Sequence, residues 1–138
     1  MQPRFHIAFP VKNLAISKEF YTKVLGCSLG RESDQWVDFN FFGHQIVAHL
    51  SPEDCLSSRR NPVDGDQVPV RHFGVILAWE KWETLCETIK NNGVSFFINP
   101  KTRFKNNSGE QGTFFIQDPS GNMLEFKTFK NSDDIFKQ

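Results

Sequence analysis

Residues 118–126 read DPSGNMLEF. Asp118-Pro119 and Ser120-Gly121 are turn dipeptides. After them the chain alternates, with Met123, Glu125 and Lys127 on one face and Leu124, Phe126 and Thr128 on the other. The pattern predicts a turn running into a half-buried strand that carries a carboxylate, Glu125, on its more polar face. Three other strand-like runs each carry a histidine: 5–11 with His6, 45–50 with His49 and 71–78 with His72. Three imidazoles and one carboxylate on separate strands point to a metal site.

Working outward, the same order of elements is met twice. Residues 5–11 alternate an apolar face (Phe5, Ile7, Phe9, Val11) against His6, Ala8 and Pro10. A helix over 14–25 follows, N-capped by Asn13 and stopped by Gly26, with Phe20, Tyr21, Val24 and Leu25 as its apolar stripe. Strands over 36–42 and 45–50 flank a turn at Gly43-His44, where His44 has a structural place. Residues 51–70 are polar and rich in Pro and Gly, and are expected to be a connector, part of which covers the site or packs at an interface. Then the order restarts: a strand over 71–78, a helix over 80–92 with Trp82, Leu85, Cys86 and Ile89 at helical spacing, and Gly93 as its stop. A strand over 94–98, a polar loop over 99–112 and strands over 113–117 and 122–129 complete it. The chain is expected to be α+β: one domain, 1–138, built from two pseudo-repeated βαβββ modules, about 4–50 and 71–130.

Composition narrows the function. Lys plus Arg and Asp plus Glu each number 16 in 138 residues, so the formal charge is zero. No basic stripe points to nucleic acid and no basic amphipathic helix to a membrane surface. The three cysteines form no CxxC pair. That usage fits reduced thiols in a cytoplasmic protein, and no signal peptide or membrane-length apolar run is read. Phe supplies 15 residues, most of them for the core, with some left to line an apolar pocket. The loop 100–112, with Lys101, Arg103, Lys105 and Gln111, reads first as a solvated mobile loop; the alternative is that it closes over a substrate and offers Arg103 to a carboxylate. Trp36 and Phe114 are further candidates to line the pocket.

Three segments, FHIAFPVKNLAISKEFYTKVLG (5–26), RHFGVIL (71–77) and FFIQDPSGNMLEF (114–126), together resemble the vicinal oxygen chelate superfamily. That group includes glyoxalase I, extradiol dioxygenases, fosfomycin resistance proteins and bleomycin-binding proteins. The resemblance implies an open, cupped mixed β-sheet with flanking helices, and usually a homodimer. It implies metal ligands at His6, His72 and Glu125, with His49 at a fourth position that glyoxalase I-like members fill with Glu. Those members commonly carry an Arg four residues after the first His, which helps hold glutathione; Pro10 stands there instead.

Two histidines and a carboxylate suit Fe(II) with open coordination positions, and also accept Ni, Zn or Mn. The leading expectation is a metal-dependent enzyme on a small molecule, an extradiol-type ring-cleaving dioxygenase with His49 as fourth ligand or as acid–base group. A glyoxalase I-like lyase or isomerase is the second reading. A bleomycin-resistance-like binding protein is the third.

Overall fold

The computed structural model describes residues 1–138. Its strands are β1 (His6–Val11), β2 (Ser28–Glu32), β3 (Trp36–Phe41), β4 (His44–Leu50), β5 (Arg60–Val63), β6 (Asp66–Pro69), β7 (Phe73–Leu77), β8 (Phe96–Arg103), β9 (Gln111–Gln117) and β10 (Met123–Phe129). Helix α1 covers Leu14–Glu19 and α2 covers Trp79–Asn91. The chain separates into two compact units, one of residues 1–58 with 118–122, the other of 59–117 with 123–138.

Each unit carries one four-stranded mixed sheet. The orders are β1-β4-β3-β2 and β7-β10-β9-β8. In both, the first strand of the module pairs in parallel with the last, and the remaining pairs are antiparallel. The pseudo-repeat read from the sequence is thus a repeat of topology, and the fold is α+β with paired βαβββ modules.

In the first unit, Asn13 caps α1 by accepting from the Ile16 amide at 2.9 Å. The α-helix is shorter than its pattern predicts, because Phe20–Val24 winds on as a wider π-helical turn. Gly26 then takes φ +72°, and the Cys27 amide donates back to the Tyr21 carbonyl at 2.9 Å, as a left-handed helix stop requires. The turn buries Phe20 and Tyr21, and the Tyr21 ring lies 5.6 Å from Phe9 and 5.0 Å from Phe39.

The turn of the opening stretch belongs to this unit. Asp118 Oδ1 accepts from the Ser120 and Asn122 amides, at 2.8 and 2.9 Å. Its Oδ2 accepts from the Tyr21 hydroxyl at 2.8 Å and from Asn122 Nδ2 at 2.9 Å. Every acceptor position of a buried carboxylate is filled, which is what makes its burial tolerable. Burial, then the Asp118 charge, pushes the Tyr21 hydroxyl well above its ordinary pKa.

In the second unit, α2 buries Trp82, Leu85, Cys86 and Ile89, the four residues expected from spacing. Trp82 Nε1 donates to the Phe126 carbonyl at 2.9 Å. Phe114 stacks on Phe126 at 5.2 Å and lies 5.7 Å from Trp82, so these aromatics are the core beneath the helix.

Two stretches differ from expectation. The connector 51–70 contains a short 3₁₀ turn, Pro52–Asp54, and a complete hairpin, β5–β6. The loop expected from 99 is strand as far as Arg103, so Lys101 and Arg103 sit on β8. Pro100 hid this: a proline reads as a strand breaker, yet β8 is the last strand of its sheet, and an edge tolerates the missing N–H.

Candidate metal centre

β10 alternates as its sequence predicts: Leu124, Phe126 and Thr128 are buried, while Met123, Glu125 and Lys127 are partly exposed. Glu125 is paired in parallel with Gly74 of β7 and antiparallel with Phe115 of β9. Gly74 is dictated by this contact, since a Cβ there would fall on the Glu125 carbonyl oxygen. His72 lies just before β7, and its Nε2 is 3.2 Å from Glu125 Oε1.

Both groups are held from behind. His72 Nδ1 is 2.7 Å from the Pro69 carbonyl. A carbonyl only accepts, so Nδ1 carries the hydrogen and Nε2 is the atom turned to Glu125. Thr113 Oγ1 donates to Glu125 Oε2 at 2.6 Å. The hydrogen bond to Glu125 raises the His72 pKa against the opposing pull of burial. Burial pushes Glu125 upward, but hydrogen bonds from His72 and Thr113 outweigh it and leave the carboxyl below its ordinary range. The metal-free pair is therefore biased towards imidazolium and carboxylate. His72 and Glu125 would hold a divalent cation in place of that proton, with the ring and the carboxylate already oriented by Pro69 and Thr113. The donor pair fits a divalent metal in this respect.

The other expected donors lie in the first unit. His6 begins β1 and His49 is near the end of β4, both exposed and on the same face of their sheet, since Gln45 is the register partner of His6 and His49 that of Pro10. Nowhere does the chain gather three or more His, Cys, Asp or Glu side chains at metal-holding distance. The expected correspondence of His49 with Glu125 needs correction. Ile7, after His6, pairs with Ile46, and Phe73, after His72, pairs with Leu124. The counterpart of Glu125 is then Val47, and His49 matches Lys127, two residues or roughly 7 Å further along the strand. His49 pairs with Trp36 across β3, whose ring is 5.4 Å from the Arg31 guanidinium. His44 is structural, its Nδ1 accepting from the Phe5 amide at 2.9 Å.

The substrate candidates divide. Phe114 is fully buried in the core, so it does not line a pocket; Phe115 is on the face that carries Glu125 and its ring is 5.1 Å from His72, but it too is buried. Arg103 and Gln111 are register neighbours on β8 and β9. Arg103 is engaged by Asp64 at 2.5 Å, so an anionic ligand would reach it only by displacing that aspartate. Thr113 and Pro69 were missed by sequence reasoning: a threonine and a proline carbonyl acquire their roles only through partners distant in sequence. A surface pocket of about 300 Å³ in the first unit, lined by Arg4, Arg31, Asp38 and His44 among others, includes none of the expected site residues.

A protein with two βαβββ modules and an imidazole–carboxylate pair joining the start of the second one to its last strand has recognisable relatives. The family model "Glyoxalase/Bleomycin resistance protein/Dioxygenase superfamily" matches residues 5–126, and the chain belongs to that superfamily. Among solved structures it is similar to a glyoxalase/bleomycin resistance protein/dioxygenase from Alicyclobacillus acidocaldarius, at 32% identity and TM-score 0.79, over 97% of this chain and 96% of that one. It shares its fold with the fosfomycin resistance protein FosX of Listeria monocytogenes (16% identity, TM-score 0.72, 97% and 98% covered). It also shares it with a lactoylglutathione lyase of Agrobacterium tumefaciens (15%, 0.63, 93% and 94%). No curated protein matches the chain. No helix is long and apolar enough to cross a membrane.

Proposed function

We propose that the protein is a metal-dependent enzyme acting on a small molecule, with His72 and Glu125 as metal donors. The observation that carries this is the His72–Glu125 pair at 3.2 Å, each member held by its own buried partner. Such outward-anchored donors characterise metal sites more than surface ion pairs. Within this reading the reaction is an extradiol-type ring cleavage and the metal is Fe(II). A bound Fe(II) would supply Lewis acidity and one-electron chemistry towards O₂. Phe115 packs edge-on against the His72 ring and helps fix its orientation. His49, displaced along β4 from the counterpart of Glu125, is assigned to proton transfer rather than to the metal.

The register also weighs against the lyase alternative. A glyoxalase I-like set wants a fourth donor at the counterpart of Glu125, and Val47 stands there. Sequestration without chemistry, as in bleomycin-binding members, leaves the anchored donor pair without a role. The reading includes a homodimer, because β1, β2, β7 and β8 end their sheets and such edges call for cover; light scattering at micromolar concentration checks it.

Elemental analysis of protein purified without chelator should find one divalent metal per chain, largely lost in His72→Ala. Anaerobic loading with Fe(II), followed by O₂ and a panel of catechols, should give oxygen uptake. No uptake with any catechol, together with isomerisation of a hemithioacetal by the Ni or Zn form, would replace the dioxygenase by a lyase.

A further inference from the structure

The β5–β6 hairpin pairs with neither four-stranded sheet. Its turn, Asp64-Gly65, has both residues left-handed, at φ 46° and 87°, the geometry of a tight two-residue hairpin loop. Little apolar surface anchors it: all of β5 is exposed, and Pro69 alone is buried on β6. Charge holds its tip. Arg103 Nη1 meets Asp64 Oδ2 at 2.5 Å and Arg103 Nη2 is 3.7 Å from Asp66 Oδ2. Lys101 Nζ pairs with the same Asp66 oxygen. The Arg60 guanidinium lies 4.7 Å from the Phe97 ring centre, tying the hairpin base to β8.

The latch neutralises two cations with two carboxylates, yet it fits Arg103 poorly. Each aspartate engages through one oxygen, and Arg103 Nε is buried with no partner at all. A guanidinium fork is matched by an anion presenting two oxygens at once, and leaving a buried N–H unmet is costly. The register places these cations in a telling position. Lys101 pairs with Thr113 and Arg103 with Gln111, and Thr113 in turn pairs with Lys127 on β10 and hydrogen-bonds Glu125. Opposed residues of antiparallel strands share a face, so Lys101 and Arg103 lie on the sheet face that carries Glu125, two strands away.

We propose that Lys101 and Arg103 form an oxyanion site, that Asp64 and Asp66 occupy it as a built-in stand-in ligand, and that a carboxylate, phosphonate or phosphate group displaces them and lifts the hairpin. A dianion with three oxygens can satisfy both cations and the stranded Nε together, which two separate aspartates do not. The site stands on the hairpin–β8 contacts and does not require the metal. If the metal reading holds as well, the two sites share a face, and the substrate is one that carries an anionic group.

The test uses the full chain, freed of metal, so its outcome is independent of the metal reading. Inorganic phosphate, methylphosphonate and acetate are titrated separately, following amide shifts and hydrogen exchange over residues 59–70, with NaCl at matched ionic strength as the screening control. Saturable binding that speeds exchange in the hairpin is expected, and the tightest of the three anions identifies the ligand class. Asp64→Asn with Asp66→Asn should bind that anion about tenfold more tightly, the scale of two lost competing ion pairs taken together. Arg103→Gln should abolish binding in a protein whose circular dichroism is unchanged. Equal loosening by NaCl and by all three anions, or no anion binding in the well-folded Asn double variant, would overturn the proposal.

Discussion

Replacing Thr113 by Val tests the candidate centre most directly, because it removes one hydrogen bond and little else. Thr113 is 1% exposed, and Val keeps its shape while deleting the hydroxyl that donates to Glu125 Oε2 at 2.6 Å. A hydrogen bond to an ionised group is worth about 1.5–3 kcal/mol net. Loss of a group that orients a metal-ligating carboxylate typically lowers metal affinity by about 10–100-fold, which is about 1.4–2.8 kcal/mol. The two ranges agree, so the single hydroxyl is sufficient to account for a loss of that size. The pH dependence has a defined sign. Glu125 is held below its ordinary range by His72 and Thr113 against the upward push of burial. Without Thr113 the carboxyl moves upward, protons compete better with metal, and the gap between variant and wild type widens as pH falls. Competition against a chelator, with Zn(II) aerobically or Fe(II) anaerobically, measures both effects. Unchanged affinity across the acidic range, in a variant with native circular dichroism, would refute Glu125 as a ligand oriented by Thr113.

Three further outcomes follow from the packing. Gly74→Ala sets a Cβ on the Glu125 carbonyl, a backbone atom that no rotamer change can move aside; it should cost more than about 4 kcal/mol in urea denaturation, and a loss below about 1 kcal/mol would mean that β7 and β10 are not in this register. Tyr21→Phe leaves the buried Asp118 one donor short and should lower stability by about 1.5–3 kcal/mol; an unshifted urea midpoint would show that the hydroxyl does not serve Asp118. Burial pushes the Cys27 thiol up to about 12 and Cys86 up to about 11, so alkylation of native protein near neutral pH should mark the half-buried Cys55 first, with the other two reacting only on unfolding or towards those pH values. Mass spectrometry showing Cys27 modified as fast as Cys55 would contradict its burial.

Local pattern was enough for most of the elements. The alternation of residues 123–128 predicts which face of β10 is buried, and the spacing of Trp82, Leu85, Cys86 and Ile89 predicts the buried stripe of α2. Asn13, Gly26 and Gly93 mark helix ends because capping and left-handed φ are properties of single residues. The repeat of strand, helix and strands was legible for the same reason, and with it the superfamily. Side-chain periodicity and turn chemistry act over a few residues, so they survive in a sequence read alone.

What needed the tertiary structure was everything set by register between distant strands. Parity did not settle whether Phe114 lines a pocket; its burial against Phe126 and Trp82 put it in the core. His49 and Glu125 looked like counterparts until the parallel pairings placed Val47 opposite that role. Arg103 read as a free loop cation because its partner, Asp64, is 39 residues away in a stretch taken for a connector. The sequence by itself determined the module, its repeat and the donor types, because these rest on local geometry. Which donors stand within reach of one another, and which of them a neighbouring carboxylate already occupies, was decided only by strand pairing, since one step of register along a strand turns a side chain to the other face.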